Sequence, residues 1–336
     1  MIASKKIILI SAGDPASIAP EITIKAIQSS KMNKNIKPIV VTDSEIIKDY
    51  NKNFKKNVIF NEIKDIQNFT DFKHNYLNII PIKLSEKVVV GKPSIKNANF
   101  VKASIFKSVK IQMNSSASAI VTNPINKNIM YKSGFKFNGH TEYLASLSIK
   151  KKFPVMMMVS NELKTIPLTI HEPLKKVPSL ISKNLILLTI KIIAEDFNSY
   201  FGIKKPKIVI TGLNPHAGEN GEIGEEEEKI IIPAIKEGNK NKDILLSGPL
   251  SSDVAFTSCI RKNYDVAICM YHDQALIPIK TLAFDNGINV TLGLDFIRTS
   301  PDHGTGFDIA GKNKANPDSL ISAINLAYQM SINKNK

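Results

Sequence analysis

The chain has 336 residues, of which 43% are hydrophobic, and it carries a formal net charge of +15. The length allows two domains with their own cores, and the apolar content is ordinary for a soluble globular protein. The lysines are spread along the whole chain without a dense basic block, so the charge indicates a compositional bias towards lysine rather than nucleic-acid binding.

The cysteines, the apolar runs and the N-terminus bear on the cellular compartment in which the protein is expected. Cys259 and Cys269 lie in apolar surroundings and do not form a metal-binding pair. No apolar run approaches membrane length, and the N-terminus lacks the cleavage site of a signal peptide. We therefore expect a cytoplasmic protein in a reducing compartment, with no membrane and no nucleic acid among its partners.

Strands and helices alternate through the first part of the chain. The predicted elements are a strand at 5–11, a helix at 20–30, a strand at 36–42, a helix from 43, short strands at 57–60 and 76–80, a helix at 94–114 and a strand at 117–121. This alternation predicts an α/β fold with a mainly parallel sheet covered on both sides. Neither the G-x-G-x-x-G nor the G-x-x-x-x-G-K-[ST] nucleotide fingerprint is present.

The second part continues the pattern. Strands are predicted at 154–160 and 165–170, as a possible antiparallel pair, followed by an amphipathic helix at 178–200, strands at 207–213, 264–271 and 289–293, and a final helix at 317–332 with a frayed tail at 333–336. The acidic run Glu225–Glu228 favours the first turn of a helix over a cation site.

Three of the apolar, β-prone runs end at a histidine: His171, His216 and His272. In an open parallel sheet, ligands bind just beyond the carboxyl ends of the strands. Neutral imidazoles suit Zn, Mn and Co, and three protein ligands with open positions describe a catalytic metal site. The alternative is that each is a satisfied loop histidine, and we expect His74, in a polar region, to be uninvolved.

Two further features point to an anionic ligand. The chain has only two arginines, and Arg298 lies in a polar Gly- and Thr-rich segment, where its planar fork suits carboxylate or phosphate, whereas Arg261 suits a surface charge at a helix end. Residues 137–142 open a helix whose N-terminal amides suit an anion. The alternative there is a plain cap with Thr141 as the capping residue.

Six segments together resemble one known family. They are Gly13–Glu21, Pro124–Lys127, Gly139–Glu142, Gly212–Glu219, Met270–Gln274 and Phe296–Thr305. In this order, and spanning nearly the whole chain, they resemble 4-hydroxythreonine-4-phosphate dehydrogenases. The resemblance implies oxidation of the C3 hydroxyl of 4-phosphooxy-L-threonine by NAD or NADP. Loss of CO2 then gives 3-amino-2-oxopropyl phosphate, on the route to pyridoxal 5'-phosphate.

The same resemblance implies roles for particular residues. A divalent metal (Zn, Mg, Mn or Co) is expected on His171, His216 and His272, in a homodimer whose metal site is shared between subunits. The substrate contacts implied are His140, Thr141, Lys280, Asn289 and Arg298. The general base is not assigned; Asp253 and Asp273 are candidates only because they lie in site loops.

A second resemblance covers less of the chain. His303–Lys312, with Ala315-Asn316-Pro317, is similar to the cofactor loop of isocitrate and isopropylmalate dehydrogenases. It implies cofactor contacts at His303, Gly304, Thr305 and Asp308. It also implies two α/β/α domains with the active site in the interdomain cleft: residues 1–130 plus 295–336 on the cofactor side, and residues 131–294 with the metal ligands and the dimerisation surface.

The sequence departs from the family pattern at four positions. Ser17 and Ala19 stand where glycines are usual, Asn123 stands where a small residue is usual, and Asn138 stands where proline is usual. Two rival functions stay open: oxidation of 4-phospho-D-threonate, and non-catalytic binding of a phosphorylated ligand by a metal-stabilised protein.

Overall fold

The computed structural model of the protein describes residues 5–55, 57–137 and 139–334. It divides into two compact units, Met1–Pro154 with Leu294–Lys336, and Val155–Gly293. The sequence prediction placed the two crossings near residues 130 and 295. Strands and helices alternate in both units, which confirms the predicted α/β class.

The strands are β1 (Lys6–Ser11), β2 (Ile36–Thr42), β3 (Phe60–Glu62), β4 (Leu77–Pro81), β5 (Ala119–Thr122), β6 (Val155–Val159), β7 (Lys164–Thr169), β8 (Lys207–Thr211), β9 (Leu245–Leu250), β10 (Val266–Tyr271), β11 (Ile288–Leu292) and β12 (Arg298–Pro301). The helices are α1 (Ala19–Ile27), α2 (Ser44–Phe54), α3 (Ala98–Asn114), α4 (Lys127–Lys132), α5 (His140–Leu147), α6 (Val177–Leu180), α7 (Lys183–Asp196), α8 (Ile232–Gly238), α9 (Ser252–Ala255), α10 (His272–Ala283) and α11 (Asp318–Asn333).

The first unit is built on a parallel sheet with the strand order β3-β4-β2-β1-β5-β12. Its central strands are buried on both faces, so they appear in the sequence as continuous apolar runs. Ile8, Leu9 and Ile10 of β1 are fully buried. The carboxyl ends of β1, β5 and β12 lie at one edge, because these neighbours run parallel.

The second unit has the strand order β11-β6-β7-β10-β8-β9. β6 pairs antiparallel with both β7 and β11, which confirms the antiparallel pair predicted from the sequence. β7, β10, β8 and β9 run parallel, with β10 between β7 and β8. The core strand β10 is fully buried from Val266 to Met270.

The prediction of one continuous helix over 178–200 is wrong. The chain forms α6 and then α7, and the two are separated by extended residues at Ile181 and Ser182. The Ser182 hydroxyl accepts the N–H of Leu185 at 3.2 Å, so it caps a new helix. The tail residues Asn335 and Lys336 lie outside the described part of the chain.

Within residues 5–55, 57–137 and 139–334, no single helix has the length and apolar character needed to cross a membrane. The segments Leu174–Leu180 and Lys183–Phe201 meet both requirements only when taken together, with a bend of 85° between them.

Candidate active site

The three predicted histidines follow three adjacent strands. His171 lies just beyond β7, His272 begins α10 directly after β10, and His216 follows the short loop after β8. Since β10 pairs in parallel with both β7 and β8, their carboxyl ends share one edge. The structure therefore places the three histidines along the edge where parallel sheets bind ligands.

His171 and His272 form a close pair, with ring centroids 5.5 Å apart. His272 Nδ1 lies 2.7 Å from Asp273 Oδ1, and a carboxylate on Nδ1 orients the ring so that Nε2 is available to a metal. Within the described ranges, no group of three or more His, Cys, Asp or Glu side chains is placed to hold a metal ion. Imidazole nitrogens are donors that suit Zn, Mn or Co, and two of the three rings, those of His171 and His272, are in contact.

Two of the histidines have a left-handed backbone. His171 has φ 55° and His216 has φ 52°, and positive φ continues from His216 through Asn220. Residues with a Cβ rarely adopt this conformation, and such strain collects at functional sites. At Gly218 (φ 81°) an added Cβ would lie 2.7 Å from Glu227 Oε2, so the close approach of the loop to this carboxylate requires glycine.

Glu227 holds the loop that leads to His216. Its side chain is buried, and Oε1 accepts the N–H groups of Leu213 at 2.7 Å and Asn214 at 2.8 Å. Oε2 accepts the Asn214 side-chain amide at 2.9 Å. The predicted acidic helix start therefore contains a buried loop anchor that the sequence did not reveal, because four consecutive glutamates give no sign of which one points inward.

Gln274 connects the ends of β8 and β10. Its Oε1 accepts the Met270 N–H at 2.6 Å and the Thr211 hydroxyl at 2.9 Å. Its Nε2 donates to the Gly212 carbonyl at 2.8 Å and the Ser252 hydroxyl at 2.6 Å. All polar atoms of this buried amide are satisfied, so the two histidine-bearing strand ends are fixed relative to each other.

The two candidate bases occupy different surroundings. The Ser251 hydroxyl donates to Asp253, and this hydrogen bond is the main cause that lowers the pKa of Asp253. Asp253 is therefore ionised at neutral pH. Asp273 instead contacts His272. A role for either as general base stays a prediction.

Arg298 and His140 lie in the first unit. Arg298 begins β12, is only 3% exposed, and donates through Nε and Nη2 to Thr122 Oγ1 at 3.1 and 2.7 Å. Burial lowers the pKa of Arg298 to about 9, so it stays positively charged at neutral pH. A buried guanidinium in this position suits a carboxylate or phosphate.

His140 is the first residue of α5, and its Nε2 is buried without a hydrogen-bond partner among the residues that the structure describes. Burial lowers the pKa of His140 well below 6.5, and the charges of Arg298 and Lys127 lower it further. The neutral ring can therefore offer Nε2 to a ligand. Thr141 lies inside the first turn and no side chain caps the helix, so the alternative of a Thr141 cap is wrong. Asn138 lies outside the described residues.

The low pKa of His140 predicts a pH-dependent stability. Below pH 6.5 the unfolded chain takes up a proton that the folded histidine does not, so the free energy of unfolding falls as the pH falls. Between pH 6.5 and 5.5 this group contributes a loss of up to about 1 kcal/mol. Urea titrations of His140→Gln are expected to show that much less pH dependence over this interval, whereas the control His74→Gln should keep the wild-type slope. Equal slopes for wild type and His140→Gln would contradict a neutral buried His140.

The remaining substrate candidates lie in the second unit. Lys280 is on α10, with its Nζ 5.7 Å from the centre of the Phe284 ring. Asn289 lies in β11, paired with Met158 of β6. Both residues are half-buried, so each can reach a ligand without being fully exposed.

The predicted cofactor loop follows β12 and packs against the segment between β1 and α1. The Ile18 N–H donates to the Thr305 carbonyl at 3.0 Å. His303 Nδ1 lies 3.1 Å from the Gly304 carbonyl. The loop is thus fixed at its base; Gly304 and Asp308 are exposed, whereas His303 and Thr305 are half-buried and His303 Nε2 is buried.

The far end of this loop is held by α1. Glu21 Oε1 accepts the Ala315 N–H at 2.9 Å and pairs with Lys25 Nζ at 2.7 Å. Lys25 Nζ also donates to the carbonyls of Asn313 at 3.1 Å and Ala315 at 3.0 Å. This contact of Glu21 and Lys25 with residues 313–315, the clamp, could not be predicted, because its two parts are separated by nearly the whole chain.

Two of the residues that depart from the family pattern, Ser17 and Asn123, make hydrogen bonds around the segment between β1 and α1. Ser17 Oγ donates to the Asp14 carbonyl at 2.6 Å and accepts the Ala19 N–H at 3.0 Å. Asn123 Nδ2 donates to the Ser11 carbonyl at 2.9 Å and to Thr23 Oγ1 at 2.7 Å. Both side chains are therefore held by hydrogen bonds, while Asn123 Oδ1 is buried without a hydrogen bond among the described residues.

Comparison with known proteins gives consistent matches over most of the chain. The sequence model of the family described as "Pyridoxal phosphate biosynthetic protein PdxA" matches residues 34–327. The 4-hydroxythreonine-4-phosphate dehydrogenase of Bradyrhizobium diazoefficiens is 51% identical over 247 residues, covering 73% of this chain and 71% of the relative. The enzyme of the same name from Methylorubrum extorquens is 41% identical over 325 residues, covering 95% of this chain and 92% of the relative.

Solved structures agree with these relatives. The crystal structure of 4-hydroxythreonine-4-phosphate dehydrogenase from Klebsiella pneumoniae superposes with a TM-score of 0.87 at 31% identity, covering 98% of this chain and 99% of that one. A terephthalate 1,2-cis-dihydrodiol dehydrogenase from Burkholderia xenovorans has a TM-score of 0.65 at 22% identity, covering 96% and 98%, and shares the fold.

Proposed function

The chain belongs to the family of the pyridoxal phosphate biosynthetic protein PdxA, and we propose that it acts as a 4-hydroxythreonine-4-phosphate dehydrogenase. In the proposed reaction, NAD or NADP accepts a hydride from C3 of 4-phosphooxy-L-threonine. The resulting β-keto acid loses CO2 to give 3-amino-2-oxopropyl phosphate. The observation that carries the proposal is the row of three histidines beyond β7, β10 and β8.

A divalent metal (Zn, Mg, Mn or Co) is proposed on His171, His216 and His272. When bound, such a cation lowers the pKa of a coordinated hydroxyl and polarises a carbonyl oxygen. The residues of this chain hold the ligands: Asp273 orients the His272 ring, and Glu227 fixes the loop before His216. The proposal includes a homodimer in which the metal site is shared between two copies; among the described residues, His171 and His272 of one chain are in ring contact.

The substrate contacts proposed are His140, Thr141, Lys280, Asn289 and Arg298. Lys280 and Arg298 supply positive charge for the phosphate and the carboxylate. His140 stays neutral because of its lowered pKa, so its Nε2 can hydrogen-bond a substrate hydroxyl without adding charge. A fixed, desolvated cation beside a neutral imidazole holds an anionic substrate in one orientation.

The dinucleotide is proposed to bind at His303, Gly304, Thr305 and Asp308, on the loop held by Glu21. Glu21→Gln weakens the clamp, because the neutral amide loses the ion pair with Lys25. We expect KM for NAD or NADP to rise about tenfold while kcat changes by less than about twofold. Steady-state kinetics with varied cofactor measure this. The matched control Glu45→Gln breaks the exposed pair with Lys48 and should leave KM unchanged. An unaltered cofactor KM in Glu21→Gln would show that the clamp does not position this loop.

A substrate comparison tests the proposed function. The enzyme with added metal and either NAD or NADP is given 4-phosphooxy-L-threonine or 4-phospho-D-threonate, and both reduced cofactor and released CO2 are measured. We expect turnover of the amino acid with equal amounts of the two products. Turnover of the threonate alone would be consistent with dehydrogenase chemistry but would rule out the proposed substrate. No turnover of either compound would rule out the proposed dehydrogenase activity.

A further inference from the structure

A groove in the first unit lies apart from the residues proposed above for metal, substrate and cofactor, and apart from the clamp. It runs between α3, the loop 64–70 and Ile82, which follows β4. Its volume is about 710 Å³, within the range of roughly 300–1,000 Å³ that is usual for small-molecule sites. The groove is therefore large enough for a ligand with an extended hydrocarbon body.

One face of α3 forms the longest wall of the groove. Ala103, Lys107, Lys110 and Asn114 follow one another at intervals of three or four residues, so their side chains lie on the same side of the helix. The stretch from the first to the last of them is about 16 Å long. An unbranched ligand can thus lie along the helix.

Hydrogen bonds hold the opposite wall of the groove. Gln67 Nε2 donates to the Asn114 carbonyl at 2.8 Å, and the Gln67 carbonyl accepts the Ser116 N–H at 3.1 Å. Asp65 Oδ1 accepts the N–H groups of Gln67 at 3.1 Å and Asn68 at 3.0 Å. The loop is therefore tied to the end of α3, and the groove between them has two fixed sides.

The lining combines exposed apolar side chains with positive charge. Phe106 is 49% exposed and Ile66 is 41% exposed, so both leave apolar surface in contact with water. Lys107 and Lys110 are the charged residues of the lining, and no acidic side chain accompanies them in the part of the chain that the structure describes. These features suit a ligand with an apolar body and one negative group.

Lys107 supplies the more enclosed of the two positive charges, since it is half-buried and Lys110 is exposed. Its Nζ donates to the Pro81 carbonyl at 2.9 Å, and burial lowers its pKa. An ammonium group has three donors, and a carbonyl oxygen is a neutral acceptor that does not balance its charge. A carboxylate beside Nζ would pair with this charge and offset the cost of its desolvation.

We propose that the groove binds an alkyl carboxylate, an unbranched hydrocarbon chain that ends in one carboxylate. The carboxylate accepts hydrogen bonds from Lys107 and Lys110, and the chain packs against Ile66, Ile82 and Phe106. This site is independent of the proposed dehydrogenase function, because none of its lining residues belongs to the proposed metal, substrate or cofactor contacts or to the clamp.

The test uses three probes: octanoate, which has both the alkyl chain and the carboxylate, neutral octanol, which has the chain without the charge, and acetate, which has the charge without the chain. Calorimetry or ligand-observed NMR on the full-length protein gives the Kd of each probe.

Three variants probe the groove. Lys107→Met and Lys110→Met each remove one charge and keep an unbranched side chain, with Lys102→Met on the same helix as their control. Ala103→Trp fills the groove from an exposed position, with Lys102→Trp as its control, because Lys102 does not line the groove. Thermal melts verify that all the variants fold.

We expect saturable binding of octanoate, at least about tenfold tighter than that of octanol, and no saturable binding of acetate. Lys107→Met and Lys110→Met should each weaken octanoate binding about threefold or more, and Ala103→Trp should abolish it, while both controls bind as the wild type does. The proposal is overturned if octanoate does not bind, if octanol or acetate binds equally well, or if folded Ala103→Trp still binds octanoate. Dehydrogenase assays are unaffected by any of these outcomes, so the two proposals fail separately.

Discussion

The variant His272→Ala is expected to lose metal-dependent turnover, with kcat/KM for 4-phosphooxy-L-threonine lowered by about 10³-fold or more. His272 begins α10 at the carboxyl end of β10, the central strand of the three that end near the histidines. Its ring is 5.5 Å from that of His171. Removing it leaves the proposed metal without one ligand and without the ring that Asp273 orients.

Three measurements on His272→Ala test this prediction: steady-state kinetics at saturating metal, metal content after dialysis, and thermal unfolding. Asp273→Asn keeps the ligand but weakens its orientation, so a smaller loss of about 10- to 100-fold is expected. His74→Ala, at an exposed histidine, serves as the matched control and should retain activity and metal content. A folded His272→Ala enzyme with wild-type activity would rule out His272 as a ligand of the catalytic metal.

Replacing Arg298 with lysine should lower kcat/KM by about 10²- to 10³-fold, although the positive charge is kept. The buried guanidinium donates twice to Thr122 Oγ1, and lysine can neither reproduce this geometry nor present a planar fork to an anion. A misplaced ammonium would leave the substrate carboxylate or phosphate without its paired donors.

The other arginine provides the matched control for this prediction. Arg261 is half-buried, pairs with the exposed Glu162 and is not among the proposed contacts, so Arg261→Lys should have wild-type kinetics. Kinetics of the two variants, with thermal melts to confirm folding, separate a binding role from a general effect of losing an arginine. Comparable losses in both, or none in Arg298→Lys, would argue against substrate binding by Arg298.

The row of histidines could be predicted from the sequence because the carboxyl ends of neighbouring parallel strands lie at one edge of the sheet. Each apolar run ends at one edge, and a histidine directly after the run must lie near that edge, as His171 and His272 do. The order of the strands was not predictable, because β10 lies between β7 and β8 although it follows both in the chain. Only the structure reveals that the three ends are neighbours.

The supporting residues could not be predicted, because their roles depend on contacts between distant segments. Glu227 and Gln274 resemble ordinary helix-start residues in the sequence, yet each is buried and holds two or more backbone groups of the neighbouring loops. The clamp of Glu21 on Ala315 joins residues 294 positions apart. Local patterns reveal which segments are strands, but they do not reveal which side chain of a polar run points inward.

The break at Ser182 was missed for a related reason. The apolar period of the segment continues through it, and only the capping bond from Leu185 shows that a new helix starts there. Ser is a strong N-cap, so a serine within a long periodic segment is a signal that favours two helices over one.

We propose that the three histidines beyond β7, β10 and β8 hold the metal of a dehydrogenase. The most direct test measures NADH or NADPH formation from 4-phosphooxy-L-threonine by enzyme stripped of metal and then supplied with Zn, Mg, Mn or Co. We predict no turnover by the stripped enzyme, with recovery on adding at least one of these metals. Full turnover by verified metal-free enzyme would contradict the claim.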